Sequence, residues 1–350
     1  MLAVVIKEFR QLRRDHRTVA MLVMIPLVLL LVFGYAASFD VSTLRVGLYG
    51  PNAQALAGQL PPDRVQIVAT DAGGGPDQAQ DLLRRGNATV AFVSGAQPAI
   101  YIDGADLFSA RAAIQALSTV PGLPQPTILF NPDLKTSVIM VPAIIGMILI
   151  FVGTVATSLG VVRERQAGTL ETLAVMPLRP RDIFLGKIAP YFTVALFDLV
   201  VVVAVGLAVF GVPFNGSVLT FALGAVLFLF VTTGFGILIS TVSQNQGQAI
   251  QLALMTLLPQ VLLSGMVFPL AAIPIGVRWI SYLLPLTYFT EISRGVMVRG
   301  SPFDALLIPF AALTLMAVVI FGLSILRFRH DLAPSGATVR QPSAAEPSAS

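Results

Sequence analysis

The charged residues best placed to act on a partner lie between Arg163 and Lys187, in the stretch RERQAGTLETLAVMPLRPRDIFLGK. This stretch separates two long apolar runs. The run at 137–162 has no charged residue, and the run at 188–211 has only Asp198. A charged segment between two such runs is typical of a loop on one face of a membrane.

The loop contains a short helical pattern of its own. Leu170, Leu173 and Met176 recur at helical spacing, and Pro177 and Pro180 end the pattern because proline cannot continue a helix. The pattern predicts a short amphipathic helix at the membrane surface. The alternative is a solvated loop whose basic residues only set the orientation of the neighbouring spans.

Patterns for covalent or metal chemistry are missing from the sequence. It has no G-x-x-x-x-G-K-[ST], no H-E-x-x-H and no G-x-S-x-G, and the nearest approach to a P-loop, 186–188, lacks the glycine loop and the hydroxyl. It has no cysteine, so disulfides and thiolate sites are excluded. His16 and His330 have no metal-ligating neighbour at a useful spacing. We therefore expect no catalytic residue, no metal and no cofactor bound by this chain.

A few ionisable residues lie in or beside apolar segments. Asp198, near the middle of its run, is either a polar point on a translocation path or a protonated acid bonded to a neighbouring helix. Glu291 and Arg294 are three apart in a predicted helix, so they either pair or mark the outer mouth of a path. With Pro285 they form the candidate path or gate.

Composition places the chain in a membrane. It is 55% hydrophobic and 11% charged, whereas soluble domains carry roughly 25% charged residues. The net charge of +4 does not indicate nucleic-acid binding, because the basic residues cluster beside apolar runs. The partner that composition predicts is the lipid bilayer.

The predicted fold is an α-helical polytopic membrane protein with an inserted α/β domain, in which strands at 45–50, 65–70, 88–94 and 99–103 alternate with helices. The predicted elements are an interfacial helix at 1–18, transmembrane helices at 19–38, 137–162, 188–210, 217–241, 249–268 and 303–326, the α/β domain at 39–136, the loop at 163–187, a re-entrant hairpin at 269–301 and a disordered tail at 327–350.

Orientation follows from the positions of Lys and Arg. The N-terminal helix, the 163–187 loop and the end of the last span are basic, and six spans place all of them on the cytoplasmic side. The α/β domain, the 211–216 turn and the 269–301 hairpin then lie outside.

The run Arg163-Glu164-Arg165-Gln166-Ala167-Gly168-Thr169-Leu170-Glu171-Thr172-Leu173, with Pro177 four residues on, resembles the signature of ABC-2 type transporter permeases. That signature is roughly E-R-E-x-G-T-x-E-x-L-x-x-x-P, and Gln166 stands where a second glutamate is usual. The resemblance extends from the basic start at 7–10 to the segment 284–288. The large domain after the first span is similar to the drug-export and daunorubicin-resistance-like branch.

The resemblance implies a transport subunit without its own ATPase site. Such permeases form dimers, here of identical or paralogous chains, in the bacterial cytoplasmic membrane. They bind separate ABC ATP-binding subunits, which hold ATP and Mg²⁺ and drive alternating access through a coupling helix, here about Gly168–Met176. The residues expected to contact the ATP-binding subunit are Arg163, Glu164, Arg165, Gly168, Thr169, Glu171, Leu173, Pro177, Arg181 and Asp182.

The leading hypothesis is therefore the permease of an exporter for a lipophilic or amphipathic drug, antibiotic or lipid. One alternative is a membrane receptor or sensor that binds a ligand with the α/β domain, although five further spans exceed what a sensor needs. Another is a secondary transporter with Asp198 as ion site, which predicts inverted repeats and more buried charges than the sequence has.

Overall fold

The computed structural model describes residues 43–168 and 180–332, except 59, 61–64, 119 and 121. These residues form a mixed β-sheet domain followed by a longer helical part, so the described chain is mostly helical. The interfacial helix predicted at 1–18, the span predicted at 19–38 and the tail beyond 332 lie outside the described residues, as does the loop at 169–179.

The sheet domain has five strands: β1 (Leu44–Tyr49), β2 (Val65–Asp71), β3 (Val90–Val93), β4 (Ala99–Asp103) and β5 (Pro126–Leu129). They lie in the order β2-β1-β3-β4-β5. Strand β1 pairs in parallel with β2 and β3, β3 pairs antiparallel with β4, and β4 pairs in parallel with β5. The alternating pattern predicted the first four strands, and β5 was not predicted.

Three helices accompany the sheet: α1 (Ala53–Ala57), α2 (Pro76–Arg84) and α3 (Leu107–Ser118). Val46 and Leu48 of β1 share one buried cluster with Ala110 and Ala113 of α3. Since side chains of a strand alternate between faces, Tyr49 lies on the opposite face, in a second cluster with residues of α2. The sheet is thus covered on both faces, as expected for a small α/β layer structure.

The helical part contains α4 (Thr136–Gln166), α5 (Pro180–Phe210), α6 (Val218–Val242), α7 (Gln246–Leu263), α8 (Ile275–Ser281), α9 (Pro285–Arg294) and α10 (Leu307–Leu332). Helix α4 packs against α5, α6, α7 and α9, and α6 also packs against α10. Among the described residues, four helices are long and apolar enough to cross a membrane: Thr136–Gln166, Ala189–Phe210, Val218–Val242 and Phe303–Ser324.

The two central helices approach closely at glycines. A Cβ on Gly153 of α4 would overlap the hydroxyl of Thr232 on α6. One on Gly236 of α6 would lie 2.7 Å from the carbonyl oxygen of Thr154. Small residues at such contacts allow two membrane helices to pack backbone against backbone.

The helices around the 163–187 loop are longer than predicted. Helix α4 continues beyond the predicted end at 162 to Gln166, and α5 begins at Pro180 rather than 188. A proline is tolerated in the first turn of a helix because its missing N–H has no partner there in any case. The two long helices therefore extend further into the predicted loop than the apolar runs suggested.

The span predicted at 249–268 is also displaced. Helix α7 begins at Gln246, where the Asn245 side chain accepts a hydrogen bond from the Gln248 N–H at 2.9 Å, and ends at Leu263. Gly265, at φ 81°, takes the left-handed conformation that ends the helix. Helix α7 is not among the four helices of membrane-crossing length and apolarity in the described chain.

The segment 269–301 is a series of short helices. A 3₁₀ turn (Leu270–Ala272) precedes α8 and α9, and a π-helical turn (Gly295–Arg299) follows them. The phenyl rings of Phe289 on α9 and Phe228 on α6 stack with centroids 4.5 Å apart. Another 3₁₀ turn (Phe303–Leu306) leads into α10. Helix α10 runs to Leu332, beyond the predicted boundary at 326, because no proline or glycine interrupts 327–332.

Gly153→Ala is expected to lower the free energy of unfolding by about 1–3 kcal/mol, because the added methyl group overfills the contact with Thr232. Gly322→Ala is the matched control, since Gly322 also lies in a long helix but has open space where the methyl group would be. Thermal unfolding in detergent compares them. Equal effects of the two substitutions would contradict the close approach of α4 and α6.

Candidate functional site

The C-terminal end of α4 is hydrogen-bonded to the end of α6 and to the start of α7. The Arg165 Nη1 donates hydrogen bonds to the carbonyl oxygens of Ser240 at 2.9 Å and Ser243 at 3.1 Å, at the end of α6. Carbonyls at a helix C-terminus lack intrahelical partners and carry partial negative charge, so a guanidinium is well suited to them. Beside this contact, the Gln246 Nε2 donates a hydrogen bond to the side-chain Oε1 of Gln166 at 3.0 Å.

The helix then ends in a defined way. The N–H groups of Ala167 and Gly168 donate to the carbonyls of Arg163 and Arg165 at 3.0 and 3.1 Å. Gly168 has φ 73°, a conformation that favours glycine. The chain therefore leaves α4 from a fixed point, beside the start of α7.

The structure brings together only part of the predicted contact set. Arg163 is exposed, and Glu164 and Arg165 are half-buried, all in the last turn of α4. Arg181 and Asp182 lie in the first turn of α5. The remaining four, Thr169, Glu171, Leu173 and Pro177, lie outside the described residues.

Asp198 lies on the middle part of α5 and is half-buried, between the buried Ala195 and Leu199. Among the described residues, its Oδ2 atom is buried and has no hydrogen-bond partner. An unpaired buried carboxyl oxygen is costly unless the group is neutral or a partner satisfies it.

The three residues of the predicted gate, Pro285, Glu291 and Arg294, all lie on α9. Pro285 begins α9 and is buried. The Arg294 guanidinium donates to the carbonyl oxygens of Ile139 at 3.1 Å and of Gly265 and Met266 at 2.9 Å each. The ion pairs among the described residues do not join Glu291 to Arg294, and Glu291 is exposed. Within the described residues, Glu291 and Arg294 therefore do not form the expected pair, because the arginine faces the carbonyls of α4 and of the turn after α7.

A buried ion pair that the sequence did not suggest joins the sheet domain to this segment. Asp103, at the end of β4, is 1% exposed. Its Oδ2 accepts hydrogen bonds from Arg299 Nε at 2.9 Å and Nη2 at 2.8 Å, and its Oδ1 accepts one from the Ala105 N–H at 2.9 Å. Burial raises the pKa of the Asp103 carboxyl, and the charge and hydrogen bonds of Arg299 oppose that shift.

Two further contacts lie beside this ion pair. The Ser301 hydroxyl donates to the Arg84 carbonyl oxygen at 2.6 Å, and Arg85 Nη1 contacts Asp304 Oδ2 at 2.5 Å. A Cβ on Gly86, at φ 73°, would come within 3.3 Å of Arg299 Nη1. The turn after α2 thus lies directly against the chain that leads into α10.

Gln260 is a second polar residue that the sequence reasoning missed. It lies in α7, is 4% exposed, and among the described residues its Oε1 has no hydrogen-bond partner. It faces a narrow crevice between α4 and α7, lined also by Ile150, Phe151, Thr154, Val155, Ala253, Thr256 and Leu257. A glutamine within an apolar helix pattern is the only signal that could have identified it.

Long apolar helices packed around α4 and α6, with an inserted α/β domain, define a polytopic membrane protein of the transporter type. A family model described as ABC-2 family transporter protein matches residues 16–326, and the chain belongs to this family. The family predicted from residues 163–177 is therefore confirmed.

Relatives from Escherichia coli (strain K12) carry permease names. The probable multidrug ABC transporter permease YbhS is 28% identical over 94% of this chain and 97% of its own length. The probable multidrug ABC transporter permease YbhR is 28% identical over 85% of this chain and 89% of its own length. The inner membrane transport permease YhhJ is 37% identical over 58% of this chain and 54% of its own.

Arg165→Met is expected to lower the free energy of unfolding by about 1–3 kcal/mol, since it removes the charged donors to the Ser240 and Ser243 carbonyls. Arg163→Met, two positions earlier in the same helix and exposed, is the matched control and should change stability by about 0.5 kcal/mol or less. Thermal unfolding of the two variants measures the difference. If both lost stability equally, positive charge at this helix end, rather than the two hydrogen bonds, would be responsible.

Proposed function

We propose that this protein is the membrane subunit of an ABC exporter that moves a lipophilic or amphipathic molecule out of the cell. The observation that carries the proposal is family membership over residues 16–326, in a sequence that has no P-loop of its own. Relatives named multidrug permeases support a cargo of the drug or antibiotic class.

A separate ABC ATP-binding subunit supplies the energy and holds ATP and Mg²⁺. Its contact surface is the loop between α4 and α5, with Glu171 at the centre of the resemblance and Arg163, Glu164, Arg181 and Asp182 beside it. The anchoring of Arg165 on the end of α6 supports this role, because a force applied to the loop would reach α4, α6 and α7 together.

Two such chains, identical or paralogous, form the permease in the inner membrane, with six spans each and both termini in the cytoplasm. The positions of the contacts support this topology. The α/β domain, the 211–216 turn and the 269–301 segment lie at one end of the helices, while Gly168 and the α6–α7 turn lie at the other. The basic loop at the second end then faces the cytoplasm.

Asp198 carries a second candidate function, a proton or cation site on the translocation path. The buried Oδ2 without a hydrogen-bond partner among the described residues favours it. Pro285, Glu291 and Arg294 are then placed at the outer end of the path, where Arg294 holds the hairpin against α4.

Glu171→Lys is expected to reduce ATP-driven transport in proteoliposomes about tenfold, the effect of losing ~1.4 kcal/mol of contact energy with the ATP-binding subunit. Asp133→Lys is the control, since Asp133 is an exposed carboxylate of the α/β domain that pairs with Lys135 at 3.0 Å. The affinity-tagged chain should also co-purify an ABC ATP-binding subunit. Failure of co-purification, or wild-type transport by Glu171→Lys, would contradict the proposed function.

Asp198→Asn tests the ion site, because asparagine keeps the shape of the side chain but cannot bind or release a proton. If Asp198 titrates during transport, this variant loses the pH dependence of the transport rate across the neutral and mildly acidic range. Asp198→Glu, which keeps the acid, is the matched control and should retain that dependence. Identical pH profiles for the wild type and Asp198→Asn would remove the second candidate function.

A further inference from the structure

Three contacts join the α/β domain to the segment Arg299–Asp304, which precedes α10. We call this segment the junction, because it connects the sheet to the helical part. The contacts are the Arg299–Asp103 ion pair, the Ser301 hydroxyl on the Arg84 carbonyl, and Arg85 with Asp304. We propose that Arg299 and Asp103 are positioning residues that make the α/β domain and the junction one rigid body throughout transport. This inference rests on the proposed function, because it concerns what moves during the transport cycle.

The ion pair is suited to a permanent attachment. The Arg299 side chain is 14% exposed and that of Asp103 is 2% exposed. Two guanidinium nitrogens contact one carboxylate oxygen, and the other carboxylate oxygen is satisfied by the Ala105 N–H. Separating these groups would leave both charges in a poorly hydrated place, which is strongly unfavourable. An exposed ion pair could open at little cost, whereas this one cannot.

The junction is also held on its other side. Asn215, in the turn between α5 and α6, donates its backbone N–H to Met297 O at 3.0 Å and its Nδ2 to Val298 O at 2.7 Å. Gly300, at φ 66°, lies against the Asn215 backbone, where a Cβ would be 3.0 Å from the Asn215 carbonyl oxygen. The junction therefore connects the sheet to the α5–α6 turn as well as to α10.

The covalent link between the sheet and α4 reaches the same part of the domain. Asn131 donates from Nδ2 to the carbonyl of Gly104 at 3.3 Å and of Lys135 at 3.1 Å, and accepts from the Lys135 N–H at 3.0 Å. The loop Asp103–Ala105 is thus bonded to Arg299 of the junction on one side and to Asn131, just before α4, on the other. Attachment at two points around one loop resists both translation and rotation of the sheet.

The absence of cysteine from the sequence makes a direct test possible. In the full-length Arg85→Cys/Asp304→Cys chain with its ATP-binding subunit, a short bifunctional methanethiosulfonate reagent should link the two thiols, and reducing agent should release them. We expect the cross-linked permease to keep more than half of the transport rate of the reduced one. The single variants Arg85→Cys and Asp304→Cys, treated with the same reagent, control for modification without a link.

Three results of this experiment would overturn the proposal. Loss of transport on cross-linking, with recovery on reduction, would show that domain and junction must separate during the cycle. Failure to form the link would show that the two positions are not held together. The yield should also be the same with and without ATP, Mg²⁺ and vanadate, and a yield that falls on vanadate trapping would show separation.

A second measurement does not depend on transport and keeps the proposal separate from the proposed function. Asp103→Asn, Arg299→Met and the double variant are compared by the shift in Tm of the purified chain. The double variant should lose clearly less than the sum of the single losses, because each single change leaves one buried partner uncompensated. Additive losses would overturn the coupling. The two ideas can also fail separately. If the Tm shifts are non-additive and the cross-link forms, but neither the wild type nor any variant transports, the attachment of the domain is supported and the proposed function is contradicted.

Discussion

Arg294 makes the set of hydrogen bonds on which the arrangement of the helical part depends most. Short, broken helices leave backbone carbonyls without N–H partners, and in an apolar surrounding each such group is costly. The turn after α7 and the hairpin contain several breaks of this kind. One guanidinium bonds Gly265 and Met266 from that turn together with Ile139 near the start of α4. The hairpin can therefore lie against the long helices without orphaned carbonyls at this point.

A second arginine, Arg165, hydrogen-bonds backbone carbonyls at the other end of α4. Arg165 bonds the last carbonyls of α6, so that α4 is fixed near both of its ends by cation-to-carbonyl contacts. Lysine would be a poor substitute at either place, since the planar guanidinium presents several donors in fixed directions. Between the two arginines, glycine contacts such as Gly153 with Thr232 keep α4 and α6 in close contact.

The sequence predicted the elements well where the signal was local. Long apolar runs mark helices, and the short apolar runs of β1, β3 and β4 between turn residues mark strands, because both signals depend on neighbours within a few positions. Strand β5 was missed because it is a four-residue edge strand that begins with Pro126. Boundaries failed at the 163–187 loop, since charged residues were taken to end the helices although Arg163 and Arg165 fit a helix C-terminus well.

Pairing between distant residues could not be predicted in the same way. Helical spacing suggested Glu291 with Arg294, but spacing alone does not say which side of α9 faces protein. In the structure Glu291 is exposed and Arg294 faces three carbonyls. Arg299 and Asp103 are 196 positions apart, and neither belongs to a motif. They pair only because the sheet lies beside the junction. No local pattern in a single sequence predicts that placement.

These contacts make α4 a mechanical connection between the two ends of the molecule. Its 31 residues span about 46 Å at 1.5 Å per residue. One end carries the motif loop and Arg165, and the other continues through Lys135 and Asn131 into the sheet domain and contacts Arg294. An α-helix changes its length very little, so an axial displacement at the loop end of α4 is transmitted to the segment 269–301 and the sheet at its other end. If a partner subunit pushes on the loop, the segment 269–301 and the α/β domain receive that push through α4, and the attachments of Arg294 and Arg299 make them receive it together.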